Sequence, residues 1–278
     1  MCFLCQYALL AYLEWRQARL LLENFNYVYT GRLQQLHKQT GDVIIIGSSR
    51  TGHLVPGSGI VSVSTPGSSF LAGLPFVPPA LITSNAVVVI EGNNLLRGTD
   101  RPAFLNTTET LWYKTGRRFP CFAILSRPTA LLVSTVQDAR LNRMLKLQES
   151  APPFDVRCQT NLAPHLATSM HPSSWDDIHL LVPAIHALQA QGVTVCIALY
   201  PQNVDLESWF PDIFPAIAEI ARQTNCTVLD YYHHLDTAQL AFADKVHFVS
   251  ADARTFRFRN TIARDARALR NSSITDNL

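Results

Sequence analysis

The chain has 278 residues, of which 47% are apolar and 16% are charged, and its formal net charge is +2. A chain of this length can bury most of its apolar surface in one core. The small net charge and the absence of Lys/Arg runs argue against a nucleic-acid-binding protein.

The N-terminal segment is apolar. Residues 2–13 are apolar apart from Gln6, and the first charged residue is Glu14. At about 1.5 Å per residue this segment is too short to cross a bilayer about 30 Å thick. It also lacks the basic start and the cleavage site of a signal peptide. Three interpretations stay open: the end of a membrane anchor, a segment at the membrane surface, and a buried helix.

A helical arm is expected after this segment. Residues 14–39 are rich in Leu, Gln, Arg and aromatic residues and contain no proline, and Gly31 is a candidate break. We therefore predict that residues 1–40 form an apolar segment followed by a helical arm.

Buried strands alternate with helices in the rest of the chain. The segment Asp42–Gly47 contains four consecutive β-branched apolar residues, which is typical of a strand buried on both faces. Similar runs occur at Gly59–Val63, Ala86–Ile90, Val193–Leu199 and Thr227–Leu229. Helical patterns cover residues 126–147, 174–191, 210–223 and 251–269. This alternation predicts a flavodoxin-like three-layer α/β/α fold, with a central parallel sheet, over residues 41–270.

Two segments do not follow the alternation. Residues 148–173 are rich in Pro, Ser, His and Thr without a clear period, which favours a loop insertion. Residues 271–278 read as a polar, frayed tail. The cysteines leave open a disulfide between Cys158 and Cys226.

Polar blocks follow three of the predicted strands, at the edge where ligands bind in such sheets. They are Gly47-Ser48-Ser49-Arg50, Thr65-Pro66-Gly67-Ser68 and Glu91-Gly92-Asn93-Asn94. A fourth block, Asp244-Lys245-Val246-His247, precedes the last predicted helix. A parallel sheet gathers the first three blocks on one edge, and a loop can bring the fourth to the same edge.

The residue types of these blocks suit a serine hydrolase. A serine hydroxyl such as that of Ser49 needs a base to remove its proton, and His247 is a suitable base. Asp244, three residues earlier, can accept the Nδ1 hydrogen and stabilise the imidazolium. The backbone N–H groups of Ser49 and Gly67 and the side-chain amide of Asn93 are the candidate oxyanion donors.

The order of the four blocks resembles the SGNH (GDSL-type) hydrolase superfamily. The resemblance implies a nucleophile at Ser49, oxyanion donors at Gly67 and Asn93, and a pair formed by Asp244 and His247. The Gly-Ser-Ser-Arg sequence is similar to the branch found beside membrane-bound acyltransferases, which acts in polysaccharide O-acetylation or teichoic-acid D-alanylation. That branch implies an acylated carbohydrate or polymer as substrate, a membrane-bound acyltransferase as partner, and an extracytoplasmic location near the membrane.

Several residues depart from the family pattern. Ser48 replaces the usual Asp, so that two adjacent serines compete for the role of nucleophile. Glu91 and Asn94 stand where the third block usually has Gly and Asp. Arg50 has two interpretations, a contact with an acidic substrate group and a structural ion pair.

Two other classes of protein remain as alternatives. The segment 47–53 also resembles the phosphate loop of FMN-binding flavodoxins, but Pro56, Gly57 and Gly59 follow it and do not propagate a helix. A non-catalytic partner of a membrane acyltransferase is the second alternative. His233 and His234 with Asp236 suggest a metal site only weakly, because neighbouring residues of a strand point to opposite faces. We expect neither a metal nor a cofactor.

Overall fold

A computed structural model describes residues 29–54, 57, 59–97, 103–119, 152–156, 159–160, 170–249 and 252–275. The chain divides into two units, residues 1–38 with 102–147 and residues 39–101 with 148–278. The sequence did not indicate that residues 102–147 group with the arm. The predicted helix over residues 126–147 lies outside the described residues.

The larger unit contains the sheet that the sequence predicts. Its described strands are β1 (Gly41–Gly47), β2 (Gly59–Ser64), β3 (Val87–Glu91), β4 (Gln159–Thr160), β5 (Thr194–Leu199) and β6 (Thr227–Asp230). Their order across the sheet is β2-β1-β3-β5-β6-β4. All neighbours pair in parallel except β4, a short antiparallel edge strand. The five parallel strands therefore have the strand order of a flavodoxin-like fold, as predicted.

Helices connect and cover these strands. The described α-helices are α1 (29–35), α2 (Ser49–His53), α3 (Phe70–Gly73), α4 (Leu111–Arg118), α5 (Pro172–Gln189), α6 (Leu206–Trp209), α7 (Ile213–Thr224), α8 (Tyr231–His234) and α9 (Ala253–Thr275). Short 3-10 helices cover Leu36–Lys38, Leu74–Phe76, Pro79–Leu81, Gly92–Arg97, Ala103–Glu109 and Thr237–Gln239. The helices predicted over 174–191, 210–223 and 251–269 correspond to α5, α7 and α9.

Some predicted boundaries are wrong. Helix α9 continues to Thr275, so residues 271–275 are helical rather than part of a frayed tail. The segment 148–173 is not all loop, because it contributes β4 and the first two residues of α5. Cys226 is a free, buried thiol, and Cys158, the other cysteine of the disulfide left open by the sequence, lies outside the described residues.

The sheet is buried on both faces. Val43 and Ile45 of β1 pack in one cluster with Phe258 and Ile262 of α9. Ile44, the residue between them, is also fully buried and points to the opposite face. Helices α5 and α7 contact β5 and β6 as well as each other. This arrangement is the three-layer α/β architecture, and it explains the unbroken apolar runs Val43–Ile46 and Val87–Ile90 in the central strands β1 and β3.

The described part of the smaller unit comprises residues 29–38 and 103–119. Helix α1 runs through Gly31, so the predicted break at this residue is wrong. Gln34 Nε2 donates to the backbone oxygen of Tyr113 at 2.8 Å and ties the two segments of this unit together. Thr110 caps α4 by accepting from the Tyr113 N–H at 3.3 Å. Across all described residues, no helix combines the length and apolar character that a membrane span requires.

Candidate active site

The first polar block forms a tight turn between β1 and α2, here called the nucleophile turn (residues 47–51). Strand β1 ends at Gly47, Ser48 is the N-cap of α2, and Ser49 is its first residue. A Cβ atom at position 47 would lie 2.3 Å from Glu91 Oε2 and 2.4 Å from Thr51 Oγ1, so only glycine fits. The turn lies at the carboxyl ends of β1 and β3, where the strand order reverses and where such sheets bind ligands.

The structure brings Ser49, His247 and Asp244 together across nearly 200 residues of chain. Ser49 Oγ lies 2.8 Å from His247 Nε2, and His247 Nδ1 lies 2.8 Å from Asp244 Oδ2. Both distances are within the range of hydrogen bonds. The three side chains therefore form the nucleophile–base–carboxylate relay that the sequence predicts.

The carboxylate and the base belong to one loop, here called the base loop (residues 243–248). Asp244 Oδ1 accepts from the backbone N–H groups of Val246 and His247, each at 2.7 Å. Burial acts to raise the pKa of Asp244, but the hydrogen bonds from the His247 ring and from these backbone groups outweigh it and lower that pKa to about 2. Asp244 is therefore ionised at neutral pH.

The surroundings of the two adjacent serines distinguish their roles. Ser48 is fully buried, and its hydroxyl donates to Glu91 Oε1 at 2.6 Å. Ser49 is partly exposed, and its hydroxyl faces His247. Only Ser49 is both accessible to a substrate and next to a base, so it is the candidate nucleophile.

Arg50 does not face the open site. It is 4% exposed, and its Nη1 lies 3.3 Å from Glu91 Oε1 in a buried ion pair. The sequence left two interpretations of Arg50 open. The structure supports the ion pair and not the contact with an acidic substrate group. From the sequence, Glu91 was notable only because the SGNH (GDSL-type) pattern usually has Gly at this position.

The side-chain amide of Asn93 also forms its hydrogen bonds within the fold and not with the open site. Its Nδ2 donates to the backbone oxygen of Tyr200 at 2.9 Å, and its Oδ1 accepts from the Tyr200 N–H at 2.7 Å. Asn93 is 0% exposed. These contacts fix the end of β3 against the end of β5 and do not support the predicted oxyanion role of Asn93.

Gly67 lies beside the nucleophile turn. The Thr65 N–H donates to the Gly47 oxygen at 2.8 Å, and Ser64 Oγ donates to the Ser48 oxygen at 2.6 Å. Gly67 is exposed and has a φ of +75°, which favours glycine. Its N–H is paired with no acceptor among the described residues and is thus available as an oxyanion donor, as is that of Ser49.

A second histidine lies near the relay. The ring of His53, on the last turn of α2, is 5.3 Å from the ring of His247. From the sequence, His53 was noted only as part of segment 47–53, which resembles the phosphate loop of flavodoxins. The i, i+4 spacing of Ser49 and His53 on a helix, which puts both on one face, was the signal available.

The remaining histidines near the sheet do not form a metal site. His233 and His234 lie on helix α8, not on a strand, and the ring of His233 bonds to Asp230 at 2.7 Å. Asp236 caps the following 3-10 helix. Within the part of the chain that the structure describes, no group of three candidate ligands is close enough to hold a metal ion.

Comparison of the chain with models of protein families, with curated proteins and with solved structures found no match. The support for a function therefore comes from the geometry of Ser49, His247 and Asp244 and from the resemblance of the four sequence blocks.

Proposed function

We propose that this protein is a serine esterase or O-acyltransferase that works through an acyl-serine intermediate. The observation that carries the proposal is the continuous relay of Ser49, His247 and Asp244, with both hydrogen bonds at 2.8 Å. Its position at the edge of the sheet where the strand order reverses supports the same conclusion.

The reaction follows from the positions of these groups. His247 Nε2 takes the proton of Ser49 Oγ while Oγ attacks the ester carbonyl carbon. The N–H groups of Ser49 and Gly67 stabilise the resulting oxyanion, and a donor of this kind is worth about 3 kcal/mol in the transition state. The intermediate collapses, the ester C–O bond breaks, and the leaving alkoxide takes the proton from His247.

The second half of the reaction regenerates the enzyme. Water, or the hydroxyl of an acceptor, loses its proton to His247 and attacks the acyl carbon. Ser49 then leaves and regains the proton. With water the net reaction is ester hydrolysis, and with an acceptor hydroxyl it is acyl transfer. Asp244 stays ionised throughout and stabilises the imidazolium of His247.

The proposed substrate is an acyl ester, with acetyl as the first acyl group to test, of a cell-envelope glycan or polymer. The proposed location is extracytoplasmic and associated with the membrane through the N-terminal segment, with a membrane-bound acyltransferase as partner. These proposals depend on the resemblance of the Gly-Ser-Ser-Arg block to the envelope branch of the SGNH (GDSL-type) superfamily.

The nucleophile turn does not fit the alternative of FMN binding. A flavodoxin phosphate loop needs free N–H groups at the start of its helix. Here the buried Glu91 carboxylate accepts from the N–H groups of Ser48 at 2.8 Å and of Thr51 at 3.4 Å. A phosphate would meet a carboxylate at this position. Helix α2 also ends at His53, after five residues.

The second alternative is a non-catalytic partner that retains the fold. An idle site has no need of a serine hydroxyl aligned with a base, so the relay geometry favours catalysis. A folded protein that does not react with an active-site probe would support this alternative.

The test is labelling of the full chain with a fluorophosphonate probe, followed by peptide mass spectrometry. We expect phosphonylation of Ser49 in the wild type and none in Ser49→Ala. In Ser48→Ala, the matched neighbour, the label should stay on Ser49. Label on Ser48 in Ser49→Ala would mean that the nucleophile is misassigned, and no label in the folded wild type would favour the non-catalytic partner.

A further inference from the structure

Glu91 is the most heavily bonded buried charge beside the nucleophile. It is 1% exposed, and its carboxylate accepts from five groups of the nucleophile turn. The donors are Ser48 N at 2.8 Å, Ser48 Oγ at 2.6 Å, Arg50 Nη1 at 3.3 Å, Thr51 N at 3.4 Å and Thr51 Oγ1 at 2.8 Å. This set of contacts lies below the reacting atoms and is not used by the proposed reaction.

The contacts of Glu91 leave one N–H group free at the start of α2. The first N–H groups of a helix have no acceptor within the helix. Glu91 accepts from those of Ser48 and Thr51, and Ser48 Oγ accepts from that of Arg50 at 3.4 Å. The Ser49 N–H has no acceptor among the described residues, and it is the group that the oxyanion needs.

The same carboxylate also ensures that the two serine hydroxyls have different hydrogen-bond partners. The hydroxyl hydrogen of Ser48 is donated to Glu91, in a bond typical of a strong charge-assisted contact. The hydroxyl of Ser49 remains for His247. A carboxylate so close to a developing oxyanion would oppose it, but the guanidinium of Arg50 offsets that charge.

We propose that Glu91 is a positioning residue that selects Ser49 over Ser48 as the nucleophile and leaves the Ser49 N–H free as an oxyanion donor. It does so by holding the Ser48 hydroxyl and the Ser48 and Thr51 N–H groups. This inference depends on the proposed serine-hydrolase function, which it deepens.

The test compares Glu91→Gln with Ser62→Ala. A glutamine keeps the size of the side chain, but its amide nitrogen cannot accept from the donors now bound to one of the carboxylate oxygens. Ser62 is a matched control, because it is buried and its hydroxyl donates at 3.0 Å to the Thr51 oxygen. This contact is on the same helix but does not involve the N–H groups at its start.

We expect fluorophosphonate labelling of Ser49 in folded Glu91→Gln to be at least about tenfold slower than in the wild type. Ester hydrolysis by this variant should show a lower kcat with little change in KM, because the oxyanion donor acts in the transition state. Ser62→Ala should label within about twofold of the wild type. An unchanged rate in folded Glu91→Gln, or an equal loss in Ser62→Ala, would overturn the inference.

A second variant covers the case in which Glu91→Gln does not fold. Arg50→Gln/Glu91→Gln leaves no unpaired charge in the core, so it should fold where the single variant does not. It should still label at least about tenfold slower than the wild type, and labelling at the wild-type rate would overturn the inference. Failure of the wild type itself to label would instead overturn the proposed function, so the two failures are distinguishable.

Discussion

The two halves of the candidate site are built differently. The nucleophile turn is held from below by the buried Glu91–Arg50 pair, whose side chains are 1% and 5% exposed. In the base loop, the side chains of Asp244 and His247 are 55% and 28% exposed. Ser49, the candidate nucleophile, is therefore fixed by the core of the protein, whereas His247, the candidate base, is fixed by a local loop. Changes in the first half should affect folding and catalysis together, and changes in the second half should affect catalysis far more than stability.

The largest effect should come from His247→Ala. The serine loses the base that activates it, so kcat for a simple acetyl ester should fall by about 10⁴-fold or more. The side chain is partly exposed, so the urea midpoint should change little. The double variant Ser49→Ala/His247→Ala should be no worse than either single variant, because the residues act as one unit. An additive loss would argue against a shared relay.

Asp244→Asn should have the next largest effect on activity. An asparagine keeps the size of the side chain but favours the wrong histidine tautomer, so we expect a loss of up to about 10⁴-fold in kcat. Unlike Asn, Asp244 stays charged down to its lowered pKa of about 2, so the wild type and Asp244→Asn should also differ in the pH dependence of kcat. If kcat and the pH profile were unchanged, Asp244 would not orient the base. Asp236→Asn, in the same stretch of chain but only capping a 3-10 helix, is the matched control.

The same contrast explains how much the sequence could predict. The strands were predictable because β1 and β3 contain unbroken apolar runs, Val43–Ile46 and Val87–Ile90. The relay was predictable because Ser49, Asp244 and His247 occur in a recognisable order. The role of Glu91 was not predictable, because a glutamate at the end of a buried strand signals a site only when its donors are known. Asn93 has the residue type of an oxyanion donor, and only the tertiary pairing with Tyr200 assigns it to the fold.

Removal of one member of the buried pair should reduce stability more than any change in the base loop. Glu91→Ala leaves Arg50 buried without a counter-charge, so the free energy of unfolding should fall by about 3–5 kcal/mol. Urea denaturation monitored by circular dichroism measures this change. His247→Ala is the comparison, with an expected change below about 1 kcal/mol. Equal losses in the two variants would remove the contrast between the two halves.

The smallest expected effect is the contribution of Asp244 to the pH dependence of stability. Its pKa in the folded protein is lowered from 3.8 to about 2. A group with a lowered pKa stabilises the fold above its unfolded pKa, and this contribution is lost as the pH falls through the folded value. The wild type should therefore lose more stability than Asp244→Asn between about pH 4 and pH 2. Because the carboxylate is more than half exposed, solvent screening limits the difference to below about 1 kcal/mol. Parallel urea titrations of the two proteins over this range measure the difference. A wild type that lost no more stability than Asp244→Asn would show that the base loop does not hold this carboxylate ionised.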